Sequence, residues 1–282
     1  PSLSRSPQLI NVDLDDIKFA CCEYSEAPVG LTYIDFGQHG AKVYMDVRGG
    51  WPAYIHSLST NDKQYSSGIC IAGGSILGLE SMSGIVAEYF KQSNYKSWPG
   101  INGAVIYSQN LNHNKIYPDK NLGRFAYQNL SKTLSSGAVG AGVSASKGQG
   151  ANYVITDSGI KILAIVVNNA IGTVYENGLI KKAGIDQNNL CVGNHTTITV
   201  LVTNLELDGD ELKQCAHQIH CSMAETIRPF NTFFDGDIFY ACSTGTYKKS
   251  SCDSTFLLNL YVQMSEVVKQ AILNSVSSHC KL

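Results

Sequence analysis

Three groups of residues in the 282-residue chain have types and spacings that could do chemistry. The first is Asp235-Gly236-Asp237, two carboxylates around a glycine, flanked by Phe233, Phe234, Ile238, Phe239 and Tyr240. An ordinary acidic turn would explain the triplet. Carboxylates drawn into an apolar wall, however, must be paired or perturbed, and a cation or a nucleophile is the natural partner. The second is Thr196, which opens the β-branched run TTITVLVT directly after a polar stretch. A threonine hydroxyl is a poor nucleophile until a base takes its proton. Cutting the backbone before Thr196 would free an α-amine of pKa about 7.7–8.0, able to be that base. Without the cut, Thr196 is a strand threonine. The third group is Cys215, His217, His220 and Cys221 on one expected helix, where 217/220 and 217/221 share a face. Ligands from a single helix rarely complete a tetrahedron, and no second half-site is evident. Packing or a disulfide is the expected role, and no metal is expected.

The glycine-rich Gly137-Ala138-Val139-Gly140-Ala141-Gly142 invites a nucleotide reading. It lacks the GxGxxG spacing and the acidic residue about 20 positions on that a dinucleotide site needs. Backbone approaching something closely suits it better, because glycine carries no Cβ.

These groups sit in a chain long enough for one large domain or two small ones. Hydrophobic residues are 44% and charged residues 16%, against roughly 25% charged on average, so a sizeable core is expected rather than disorder. The net charge of −2 gives no electrostatic reason to expect nucleic acid or an anionic membrane as partner. No apolar run approaches the roughly 20 residues of a membrane span. Nine cysteines and two sequons, Asn129-Leu130-Ser131 and Asn194-His195-Thr196, point to a secreted, glycosylated, disulfide-containing protein. The alternative is a cytoplasmic protein whose thiols are small buried hydrophobes. The chain opens on Pro1 rather than Met, from which either removal of a leader or trimming of the sequence is the expectation.

The elements that must position these groups follow from pattern. Residues 1–28 read as a polar arm or peripheral strand. Strands are expected between Gly30 and Val47, at Gly68–Ala72, Ile101–Tyr107, Tyr153–Ile155, Ile162–Val167 and Thr196–Thr203. Helices are expected after Ser75, where Leu79, Met82, Val86 and Tyr89 recur, and over Leu122–Leu134, Asp210–Ile227 and Phe256–Val276. Asn177–Asn194 reads as a polar loop. No internal repeat is present, and four helices with many strands indicate a layered α/β domain.

Read together, several blocks carry a family resemblance. MDVRGG (45–50), IAGGSILGLES (71–81), AVIYS (104–108), GAVGAGVSA (137–145) and VNNAIGTV (167–174) occur in order, then HTTITVLVTN (195–204), IRP (227–229) and FDGDIFYACSTG (234–245). The chain resembles, from about Val29 onward, the DmpA-type aminopeptidases, which include β-peptidyl aminopeptidases and nylon-oligomer hydrolases. The resemblance implies a single domain, 1–282, with the four-layer αββα sandwich of the DmpA/ArgJ type. It also implies a precursor that cuts itself at His195–Thr196, giving 1–195 and 196–282, and a homo-oligomer, commonly a tetramer. Carried over by position, Thr196 would be the nucleophile. Asn169 and Tyr107 would face the carbonyl oxygen, Lys147 would sit in the catalytic pocket, and Asp235 and Asp237 would orient the nucleophile or its amine.

Those roles supply what amide hydrolysis needs: a nucleophile, a proton acceptor and donors for the developing oxyanion. No cofactor is required. The expected activity is an amidohydrolase or aminopeptidase acting on a small peptide or amide. The chain departs from the family in having His195 before the nucleophile rather than Asn or Gly, and in the shortened Lys147-Gly148-Gln149-Gly150 stretch. Two other readings are an uncut relative turned to acyl transfer or cyclisation, and a catalytically dead binding protein.

Overall fold

The computed structural model describes residues 7–56, 65–107, 115–185, 195–248 and 253–277. Two sheets face each other. One has six strands in the order β10-β11-β14-β16-β4-β6. Its members are β4 (Ala41–Val47), β6 (Tyr65–Ser66), β10 (Gln149–Ile155), β11 (Lys161–Asn169), β14 (Thr196–Leu205) and β16 (Ile238–Tyr247). The other has five strands in the order β2-β3-β7-β8-β5. Its members are β2 (Lys18–Glu23), β3 (Gly30–Asp35), β5 (Tyr54–Ile55), β7 (Gly68–Ala72) and β8 (Ile101–Val105).

Side-chain alternation along β14 and β11 sorts the core into layers. Ile198, Val200 and Val202 of β14, with Leu163, Ile165 and Val167 of β11, pack against Ile34, Ile69 and Ile71 of the facing sheet. The alternate residues, Leu201, Ala164 and Val166, pack against α3 (Gly209–Ser222) and α4 (Ser254–Ser277). On the far side, Leu31, Tyr33 and Cys70 pack against α1 (Glu80–Gln92) and α2 (Lys120–Gln128). This is the expected αββα sandwich. All ten residues of β14 are buried, as suits a central strand covered on both faces.

Three expected elements are corrected. The helix expected over Leu122–Leu134 runs only over Lys120–Gln128, its start capped by the Asp119 carboxylate on the Leu122 N–H at 3.0 Å. Leu134 belongs instead to β9 (Thr133–Ser136), paired with β1 (Gln8–Asn11). The helix expected to reach Ile227 ends at Ser222, because Ile227–Arg228 (β15) pairs with β12 (Thr173–Glu176). The polar stretch from Asn177 begins as a hairpin: Asn177 and Gly178 both have positive φ and join β12 to β13 (Leu179–Lys182).

The expected disulfides do not form among the described cysteines, since Cys21, Cys22, Cys70, Cys215, Cys221 and Cys242 are all free thiols. Cys191, Cys252, Cys280 and the Asn194 sequon residue lie outside the described residues. Among the described helices none is long and apolar enough to cross a membrane.

Candidate active site

Thr196 is the first residue of β14 and is almost fully buried. Two positions before Ile198, it lies on the face of β14 that looks toward the second sheet. Its register partner across the antiparallel pair is Asn169, the last residue of β11 and two positions beyond Val167 on the same face. The Asn169 side chain spans the gap between sheets. Its Oδ1 accepts the Ser146 N–H at 2.9 Å, and its Nδ2 donates to the Tyr107 carbonyl at 3.1 Å. Tyr107 therefore meets Asn169 through its backbone, just beyond β8.

Lys147 stands at the same end of the sheet. Its N–H donates to the Asn168 carbonyl at 3.0 Å, and its Nζ donates to the Ala170 carbonyl at 2.5 Å. Only 1% of it is exposed. Burial, assisted by the Lys182 charge and opposed by Asp235, pulls its ammonium down to about 8. A lysine in that range exchanges protons near neutrality.

The two aspartates grip backbone rather than the Thr196 hydroxyl. Asp237 Oδ1 accepts the Thr197 N–H at 2.6 Å, and its Oδ2 accepts the Asn231 N–H at 3.2 Å. Asp237 thus fixes the residue next to Thr196, from the helix-facing side of the sheet. Burial first, and the Asp235 charge second, hold its carboxyl well above the usual range, while the two N–H donors pull the other way. Asp235 Oδ2 accepts the Thr232 N–H at 2.8 Å and its hydroxyl at 2.6 Å; Oδ1 takes the Ile171 N–H at 3.5 Å. His195, bridged to Asp235, is fully buried, and both ring nitrogens lack partners among the described residues. Burial pushes its imidazole below its ordinary value, Asp235 pulls upward and Lys147 adds to the lowering.

All six expected residues gather at one end of the six-stranded sheet. What sequence reasoning missed is the backbone lattice around the 235–237 turn. Arg48 N–H donates to the Asp237 carbonyl at 2.8 Å, Trp51 N–H to the Asp235 carbonyl at 3.1 Å, and Gly236 N–H to the His195 carbonyl at 2.8 Å. The available signal was the glycine pair after Arg48. A Cβ on Gly49 would strike the Asp235 carbonyl, and one on Gly50 the Phe233 carbonyl.

The cysteine–histidine cluster of α3 is split: Cys215 lies apart, whereas His217, His220 and Cys221 meet the Asp46–Arg48 ion pair, Arg48 also donating to the His217 carbonyl at 3.3 Å. Cys215 packs on Met264, His220 Nδ1 lies 2.9 Å from the Asp46 carboxylate, and Cys221 accepts from Arg48 Nη1 at 2.9 Å. Among the described residues no group of three or more His, Cys, Asp or Glu could hold a metal. A polar cleft of 620 Å³ on the other sheet, lined by Asp35, Tyr89 and Tyr127 among others, contains none of the six residues.

Two solved structures share this architecture. The L-aminopeptidase D-Ala-esterase/amidase of Ochrobactrum anthropi, described as a variant of the Ntn-hydrolase fold, superposes with a TM-score of 0.74 at 20% identity. That match covers 95% of this chain and 85% of the other. A Burkholderia sp. β-aminopeptidase superposes at 0.75 and 15% identity, covering 97% and 88%. The 6-aminohexanoate-oligomer endohydrolase of Agromyces sp. (strain KY5R) is 29% identical over 281 residues, 86% of this chain and 77% of that protein. The sandwich with a threonine heading its central strand is therefore an Ntn-hydrolase fold. Residues 22–280 match the model of peptidase family S58, and the chain belongs to that family of hydrolases acting on amide and peptide bonds.

Proposed function

We propose that this chain is the precursor of an N-terminal-nucleophile amidohydrolase that cuts itself between His195 and Thr196. The reading is carried by the position of Thr196, at the head of a fully buried central strand and opposite Asn169. After the cut, the Thr196 α-amine or Lys147 takes the hydroxyl proton, and the alkoxide attacks the substrate carbonyl. By the family resemblance, Asn169 and Tyr107 would face the carbonyl oxygen. Asp237, through the Thr197 N–H, and Asp235, through the 232–235 turn, keep the strand end in place.

The substrate class is a small peptide or linear amide with a free amine near the scissile bond. The related protein named for 6-aminohexanoate oligomers supports the aliphatic branch, and the aminopeptidase neighbours support the peptide branch. Assay of the mature protein on 6-aminohexanoate oligomers and on aminoacyl amides tests this, with Thr196→Ala as control. Product from neither class would overturn the reading.

The same reading includes a homo-oligomer, a tetramer by family resemblance. Leu179, Ile180, Leu258 and Val262 supply exposed apolar side chains for such contacts. Secretion is proposed on the sequons, Asn129 being exposed at the end of α2. Glycopeptide mapping after secretory expression, with Asn129 unoccupied, would count against it.

A further inference from the structure

The geometry points to the Gly236 backbone N–H as the oxyanion donor of the self-cleavage step, a role that rests on the self-cleaving reading above. The bond to be cut is His195–Thr196, so the oxygen that gains charge is the His195 carbonyl oxygen. That oxygen already accepts the Gly236 N–H at 2.8 Å. In the first step Thr196 Oγ1 attacks the His195 carbonyl carbon. Its proton passes to the Thr196 nitrogen, the new C–O bond replaces the C–N bond, and an ester remains. Water then cleaves that ester, leaving the His195 carboxylate and the restored Thr196 hydroxyl with its free amine. Between attack and C–N rupture, the His195 oxygen bears the negative charge, and the donor aimed at it lowers that barrier.

An ordinary ladder bond between parallel neighbours would have the same length. What sets this one apart is how firmly its donor is held. The 235–236 peptide that carries the Gly236 N–H is pinned by the Trp51 N–H on its Asp235 carbonyl, and the 237–238 peptide, one further on, by the Arg48 N–H on the Asp237 carbonyl. The two side chains are pinned as well, Asp235 by Thr232 and Asp237 by the Thr197 and Asn231 N–H groups. Gly236 itself has no room for a side chain, since a Cβ would lie 2.5 Å from the Trp51 carbonyl. A donor fixed before the reaction needs no reorganisation while charge develops, the condition under which such donors act most strongly.

The test replaces Gly236 by glycolic acid in the full chain, so that the 235–236 linkage is an ester and the N–H is gone. Self-cleavage after folding is followed by intact mass, and folding by circular dichroism. We expect cutting to slow by about 100- to 1,000-fold while the chain folds. Cutting within about threefold of the parent overturns the assignment. A parent chain that never cuts refutes the self-cleaving reading instead, so the two failures are distinct. Should the ester chain not fold, Thr196→Ala decides, labelled with ¹³C at histidine carbonyls and ¹⁵N at glycine. Scalar coupling across the hydrogen bond between Gly236 nitrogen and the His195 carbonyl carbon supports the role, and its absence overturns it.

Discussion

Asn169 and Thr196 are direct register partners across the antiparallel β11–β14 pair. A two-residue slip of either strand would keep every apolar side chain on its own face and still separate them. Under the proposed function, register is therefore a constraint on the chemistry as well as on packing. On its other edge, β11 is tied to the 147–148 segment by the Lys147 N–H on the Asn168 carbonyl and the Asn168 N–H on the Gly148 carbonyl.

Removing the proposed nucleophile should separate chemistry from stability. Thr196→Ala takes one hydroxyl and one methyl from a buried strand position, worth about 1 kcal/mol or about 2–4 °C in melting temperature. Activity on any confirmed amide substrate should fall by orders of magnitude. Full retention would move the nucleophile elsewhere.

The two aspartates should differ in what their amides cost. Asp237 accepts an N–H on each oxygen, so Asp237→Asn must turn an NH₂ toward one of those donors. That should cost about 1–3 kcal/mol and slow processing. Asp235 makes its strong contacts through Oδ2, and the Ile171 N–H lies at 3.5 Å from Oδ1. Asp235→Asn can keep its oxygen on Thr232 and should lose less. Thermal melts of both variants in a Thr196→Ala background check the order.

Lys147 should make stability rise with pH. Its ordinary value is 10.5, and the folded chain brings it to about 8. Between those limits the unfolded chain holds more protons, so the penalty is full below about pH 8 and is relieved toward 10.5. The difference between those limits corresponds to about 3 kcal/mol at most. Lys147→Met in the Thr196→Ala background should therefore melt higher than its parent at pH 7, with the gap closing by pH 10. An equal gap at both would contradict a buried ammonium.

Assembly is checked by sedimentation. A species larger than a monomer is expected at micromolar concentration, and a monomer alone would contradict the homo-oligomer.

Much of this was legible in the sequence because the two signals it rests on are strong. Long β-branched runs such as Thr196–Thr203 can be little but central strands, and the eight ordered blocks tie Thr196, Asn169 and Asp235–Asp237 together. The hairpin at Asn177-Gly178 was also legible, as an Asn-Gly pair, but polarity around it masked the signal. The Leu122–Leu134 helix failed because Leu134 fits a helical face while its actual partner, β1, is more than a hundred residues away. The Gly236 lattice was beyond reach for a different reason. Backbone N–H groups have no residue type, and only the glycines at 49, 50 and 236 mark where main chains pass closely.

The central claim is that the chain matures by cutting at His195–Thr196. Intact mass under denaturing conditions tests it most directly. The wild-type chain should appear as two fragments that join between residues 195 and 196, and Thr196→Ala as one species. A single wild-type species near 30.5 kDa would contradict the account.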